Sequence, residues 1–294
     1  MMADQGQPLQ YEHWSQFWRS GGSSLANEAV SLPVLHKLWK EILMEIPPAI
    51  NGAPLLELAA GSGSVSRHIS KISHLADSTQ FAFDASLEAL SELRCGEIAI
   101  AGDLRGLPFC RRSMHLITSQ FGVEYVGLDH MADAFECVTA GGYFAFIMHL
   151  RSGAIYEECG ANRRLIEGFL ESSFLLVAHD LINTSMGAQL SPDHHQKAKM
   201  FRETLTGVEQ LLLSASDGQA KDTLLQVYNA IADMVEAPRH YDAKVVDRWF
   251  SETHLELAGY AQRMSQMCQS ALSEEGRTAL TQSAEGLGFE IMRC

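Results

Sequence analysis

The stretch ELAAGSG, Glu57 to Gly63, sets an acid four residues ahead of the first of two glycines, directly after the apolar run that starts at Pro54. Two further acids occupy comparable places: Asp84 closes QFAFD and Asp103 closes AIAGD. Glycine lacks a Cβ, so Gly61 and Gly63 let the backbone turn sharply and come close to a ligand. A carboxylate at a strand tip can accept from two hydroxyls at once, or from an amino group. An apolar run, a glycine turn and then a helical pattern form a pocket for a nucleotide-like ligand.

Three readings of that turn compete. A phosphate-cradling Walker loop needs Gly-Lys-Ser/Thr after the turn, and Ser64-Val65 stands there instead. A dinucleotide turn wants a third glycine at position 66, which is a serine. The third reading is S-adenosylmethionine (SAM), whose shorter E-x-x-x-G-x-G turn fits Glu57, Gly61 and Gly63. Asp84 does not separate the last two, because both use an acid on the ribose; it could also cap the next helix, as could Ser86. Asp103 does separate them: a carboxylate there suits an adenine amino group, Leu104 packs against the ring, and Leu-Pro-Phe leads out of the site.

The successive segments LLELAAGSGSVSRHI, FAFDASLEAL, AGDLRGLPF, HLITSQFGVEYV and AGGYFAFIMH make residues 54–149 resemble the core of a class I SAM-dependent methyltransferase. The resemblance implies a seven-stranded Rossmann-like sheet and methyl transfer from SAM, leaving S-adenosylhomocysteine (SAH). Carried over by position, Glu57, Ala59, Gly61, Ser62 and Gly63 would lie at the methionine part. Asp84 with Ala85 would hold the ribose, and Asp103 with Leu104 the adenine. Gln120 and Phe121, after the fourth strand, would flank the sulfonium and the other adenine face. The chain departs from the family where His115 replaces the usual Asp and where CVTAGGYF precedes the fifth strand, and a seventh strand is not visible in its usual place.

Methyl transfer is a direct displacement, so alignment and exclusion of water matter most, and a base is needed only for a protonated nucleophile. His149, at the end of the fifth strand, is the candidate base; Glu124 and Tyr125, after the fourth, are candidates to shape the pocket. Tyr11 and Trp18 would cover the cofactor if the aromatic stripe of YEHWSQFW is a lid and not core. Adjacent His194 and His195 beside Asp193 cannot readily face one ion and have no third partner, so no metal is expected.

These residues need elements to hold them. Residues 1–50 read as helices forming an N-terminal lid, the second started by Pro33 and stopped by Pro47-Pro48. Residues 51–150 alternate strands at 54–59, 79–83, 97–101, 114–119 and 142–149 with helices at 63–74, 86–94 and 129–138, the pattern of a doubly wound, mostly parallel α/β sheet. Residues 151–275 carry helical periodicity and read as a cap inserted before the last strands, or as a dimer face. Residues 276–294 return to the sheet as a helix and a strand at 289–293.

The 294 residues carry a formal net charge of −14, which disfavours nucleic acid and membrane surfaces as partners. No apolar run approaches the ~18 residues of a membrane span, and MMADQGQPLQ is not a signal peptide. Six scattered cysteines without C-x-x-C spacing suggest a reducing compartment, so a cytoplasmic enzyme is expected. An acidic chain with a cap favours a small-molecule acceptor. The rivals are a non-catalytic SAM-binding or partner-binding protein on the same fold, and a nicotinamide oxidoreductase.

Overall fold

In the computed structural model the described residues are 12–19, 33–48, 54–187 and 193–293. Strand β1 (Leu55–Leu58) is buried at every position, as a central parallel strand covered on both faces must be. It lies between β2 (Gln80–Asp84) and β4 (Met114–Gln120), with β3 (Ile98–Ala101) and β5 (Val138–Ile147) outside them. The order β3-β2-β1-β4-β5 is parallel throughout, with Leu58 level with Phe83 and Ser119. The strand succession runs from β1 to β3 on one side and through β4 to β5 on the other, so the carboxyl ends of β1 and β4 open the crevice where such sheets bind ligands.

Alternate side chains of each strand serve opposite faces. Leu55, Leu116 and Ile147 pack with Trp39 and Leu43 of α2 (Pro33–Glu45) and with Val65 and Ile69. Leu56, Leu58 and Ile117 pack with Met131 and Phe135 of α5 (Leu128–Glu136) and Leu280 and Ala284 of α11 (Glu274–Gly286). Helices on both faces make the sheet doubly wound. His115, where the family pattern has Asp, is buried between these layers and faces the Pro47 carbonyl through Nε2 at 3.1 Å.

The helices after β1 and β2 are shorter than expected. Of 63–74 only α3 (Ser66–Ile69) is α-helical, and of 86–94 only α4 (Leu87–Leu90). Ile69, Ile72 and Leu75 are buried at a spacing of three, and the Ile72 and Leu75 amides bond three residues back, so the segment winds as tight turns. Strand β5 begins at Val138, earlier than the expected 142, with a register shift against β4 between Met114 and Leu116.

Among the described residues the sheet has five strands, and the strand expected at 289–293 is not one. Phe289 instead packs as coil against Phe144 and Phe135, at 5.1 and 5.9 Å between ring centroids, and Ile291 joins the same cluster. Phe289 and Ile291 are thus partly buried without a ladder partner, Met292 is exposed, and Arg293 pairs with Glu41 and Glu45 of α2.

The chain forms two units, residues 1–156 with 267–294, and residues 157–266. The second contains most of α6 (Ala154–Glu171) and α10 (Ala243–Ser270), with α7 (Phe174–Ser185), α8 (His194–Ser214) and α9 (Gln219–Glu236) complete. Its own core gathers Phe169, Phe174, Phe201, Leu224, Ile231 and Phe250, with the Phe174 and Phe201 rings stacked at 5.4 Å. Asp193 precedes α8, while His194 and His195 begin it with ring planes 86° apart; among the described residues no group of His, Cys, Asp or Glu is placed to hold a metal.

Candidate functional site

The turn after β1 is held open by backbone conformation. Ala59, Gly61 and Gly63 all have positive φ, at 48°, 53° and 80°. For Ala59 this costs about 1–2 kcal/mol, which the surrounding contacts must offset. Gly122 comes so close that a Cβ on it would lie 2.2 Å from the Ala59 Cβ, so the backbone after β4 packs against the Ala59 methyl at the end of β1.

Glu57 secures the turn from beneath. Oε1 accepts from the Val65 amide at 2.8 Å, and Oε2 accepts from the Ser66 amide at 2.7 Å and hydroxyl at 2.6 Å. Both oxygens thus hold the start of α3, so Glu57, itself buried, shapes the loop. Burial raises its carboxyl to about 7, and the donors pull back only part of that rise. Ser62 is buried, and its carbonyl accepts from the Arg67 guanidinium.

Asp84 joins the two strand ends. Its Oδ2 accepts from the Gly61 amide and its Oδ1 from the Ser86 amide, each at 2.8 Å. Burial pushes its carboxyl up against the pull of these amides. Each oxygen retains lone-pair capacity for a hydroxyl, so the residue still fits a ribose. Ser86, not Asp84, caps α4, accepting from the Ala89 amide. Ala85 is exposed beside it. Asp103 is turned toward its own loop: its carboxylate takes the Arg105 amide at 2.9 Å and the guanidinium at 2.5 Å. Leu104 packs on the cluster containing Phe83.

The far side of the crevice is aromatic. Phe121, at φ 55°, follows β4 and stacks on His149 at 4.5 Å and 26°. Gln120 accepts from the Trp39 indole N–H at 2.5 Å. Glu124 lies in the one-turn helix Val123–Val126, with its Oε1 2.7 Å from His149 Nδ1 and 3.1 Å from the His149 backbone nitrogen. Both side chains are buried, 0% and 2% exposed. Trp14 meets Tyr125 edge to face at 5.9 Å. Trp18 lies so near the turn that a Cβ on Gly61 would sit 3.0 Å from its ring. Helix α1 (Glu12–Arg19) therefore touches both the β1 turn and the β4 loop, and Arg19 bonds Glu88 at 2.8 Å. Tyr11, the other expected lid residue, lies outside the described residues.

The sequence reading missed the Glu124–His149 pair, although it singled out both members. They are 25 residues apart. The available signal was that each comes after one of two adjacent parallel strands. The Trp39–Gln120 bond had none, because the two residues lie 81 positions apart in unrelated elements.

No protein-family profile matches the chain. A ubiquinone/menaquinone biosynthesis C-methyltransferase UbiE of Roseobacter denitrificans is 28% identical over 127 residues, covering 40% of this chain. The chain spans half (50%) of that relative's length. Among solved structures, a SAM-dependent methyltransferase of Thermotoga maritima, described as a possible histamine N-methyltransferase, aligns with TM-score 0.41 at 13% identity over 53% of this chain and 69% of its own. The geranyl diphosphate C-methyltransferase of Streptomyces coelicolor aligns with TM-score 0.34 at 15% identity, over 42% and 49%. With its sheet order, its glycine turn tied to an acid on the next strand and this curated relative, the α/β unit of the chain has the class I SAM-dependent methyltransferase fold.

Proposed function

We propose that the protein is a SAM-dependent methyltransferase acting on a small-molecule acceptor. The observation that carries this is the Gly61 amide held at 2.8 Å by Asp84, at the adjoining ends of β1 and β2. When bound, SAM supplies an electrophilic methyl group on a cationic sulfur. The chain's own part is to bind and orient. Asp84 receives the ribose, the Gly61–Gly63 turn brings backbone against the amino-acid end, and Leu104 with Phe121 borders the adenine. The rings of Trp14 and Trp18 exclude water above the crevice, where unsolvated contacts are strongest. The curated relative's name, a C-methyltransferase of quinone biosynthesis, agrees with a small acceptor. The helical unit selects that acceptor, and the cysteines among the described residues, none of them joined in a disulfide, suit a reducing, cytoplasmic setting.

Calorimetric titration of the full chain with SAM, SAH and NAD tests this reading. SAM and SAH should bind at one site per chain and NAD should not. Absence of SAM and SAH binding, or preference for NAD, overturns it.

A further inference from the structure

We infer that His149 is the general base of the transfer step, held in one tautomer by Glu124, and that the acceptor is therefore one whose nucleophile must shed a proton. The inference rests on the SAM reading of the same crevice.

The geometry fixes where the imidazole proton lies. An ionised carboxylate only accepts hydrogen bonds, and Glu124 Oε1 sits 2.7 Å from His149 Nδ1 while also taking the His149 backbone N–H at 3.1 Å. In the neutral imidazole Nδ1 then carries the hydrogen, which leaves Nε2 with a bare lone pair. That Nε2 is buried and has no hydrogen-bond partner among the described residues, and Glu124 Oε2 is in the same condition. An orphaned acceptor inside a fully buried pair is costly unless something completes it. A hydroxyl donated by a bound acceptor would do so. The pair stands directly after β4 and β5, at the crevice end of the sheet, and Phe121 stacked on the imidazole fixes the ring plane.

The step balances. The acceptor's O–H bond breaks, its proton passes to Nε2, and its electron pair forms the new bond to the methyl carbon. The S–C bond of the sulfonium breaks with its pair left on sulfur. Cationic donor, neutral hydroxyl and neutral imidazole give neutral thioether, neutral methyl ether and imidazolium, whose charge Glu124 stabilises. An acceptor already carrying a free lone pair and needing no deprotonation would gain nothing from this arrangement.

The test begins with SAH calorimetry on the full chain. No SAH binding sinks the SAM reading itself and is a separate result. Nitrogen NMR of protein labelled in its histidine rings then reports the tautomer without turnover. Wild type should show hydrogen on Nδ1 and none on Nε2 at pH 8; a protonated Nε2 in a protein that binds SAH overturns the inference. Glu124→Leu should lose the tautomer preference. Glu124→Gln, whose carbonyl can still accept from Nδ1, should keep it, and this variant serves if the leucine protein does not fold. Transfer of labelled methyl to phenol and to 4-nitrophenol, the latter largely ionised at pH 8, completes the test. His149→Gln should slow transfer to phenol about 10²-fold or more, the usual scale of general-base catalysis, and transfer to 4-nitrophenolate less than fivefold. Equal losses on both probes, no loss on phenol, or transfer to neither probe by a wild-type protein that binds SAH overturns it.

Discussion

At the level of single residues the site rests on two carboxylates with different tasks. Asp84 satisfies the Gly61 and Ser86 amides, so Asp84→Ala leaves both donors unmet as well as removing the ribose acceptor. Leaving a buried donor without a partner costs about 1–3 kcal/mol. SAM affinity should fall tenfold or more by calorimetry, with a measurable loss of stability in urea. Gly61→Val should weaken binding to a similar degree for another reason: φ is 53° and the new Cβ would press on Trp18 at 3.0 Å. Glu57 predicts a pH effect. Its carboxyl rises from 4.5 to about 7 on folding, so the folded state binds the proton more tightly than the unfolded one. The stabilisation is complete below pH 4.5, shrinks as pH rises and is gone above 7, a change of about 3 kcal/mol. Urea melts of wild type and Glu57→Gln should show the wild type's advantage declining by that order across the interval. The difference between the two proteins cancels the effect of the acidic surface, and a pH-independent difference would contradict it.

Among the elements, α1 is the one that carries the lid reading. It is attached through the rings of Trp14 and Trp18 and through the exposed Arg19–Glu88 pair, which contributes little by itself. Trp18→Ala should therefore speed SAH release in stopped-flow experiments several-fold while leaving the melting temperature of the sheet nearly unchanged. A large fall in melting temperature would make the stripe core and not a lid. The same contrast explains what could be read in the sequence. The strands were legible because LLEL and QFAFD are apolar enough to be central strands, and parallel order follows from helices between them. The helix after β1 was misread because a spacing of three at Ile69, Ile72 and Leu75 resembles one helical face over a short window. The run at 289–293 has strand composition, yet Phe289 and Ile291 find their burial in a cluster of phenylalanines that already existed. Residue types located Glu124, His149 and Asp103, but not what they bond to. The Asp103–Arg105 contact depends on a loop turning back on itself, and the Glu124–His149 contact on two strands lying side by side.

For the whole molecule, the question is whether the α/β unit depends on the helical one to fold and bind its cofactor. The chain leaves the first unit at residue 156 and re-enters it at 267. The two ends are neighbours, since Cys268 Sγ lies 3.8 Å from the Tyr156 carbonyl oxygen. The segment after re-entry is tied to the sheet independently. The Leu272 amide bonds the His149 carbonyl at 2.8 Å and the Arg151 amide bonds the Leu272 carbonyl at 2.9 Å, while Leu280 and Ala284 are buried against β1 and β4 residues. The expected SAM contacts at Gly61, Asp84, Leu104 and Phe121 all belong to the first unit. Joining residue 156 to 267 through a short Gly/Ser linker asks the shortened chain to close only a small loop, whose entropic cost is slight. That protein should fold cooperatively and bind SAH within about fivefold of the full chain, because a fivefold change is only about 1 kcal/mol. It should lose the methylation of the full chain's acceptor if the helical unit selects it. Undiminished transfer would remove the acceptor-selecting role from the helices. Failure of the shortened chain to fold, while a chain carrying scrambled surface residues in 157–266 still folds, would show that the sheet needs the helical core for its stability.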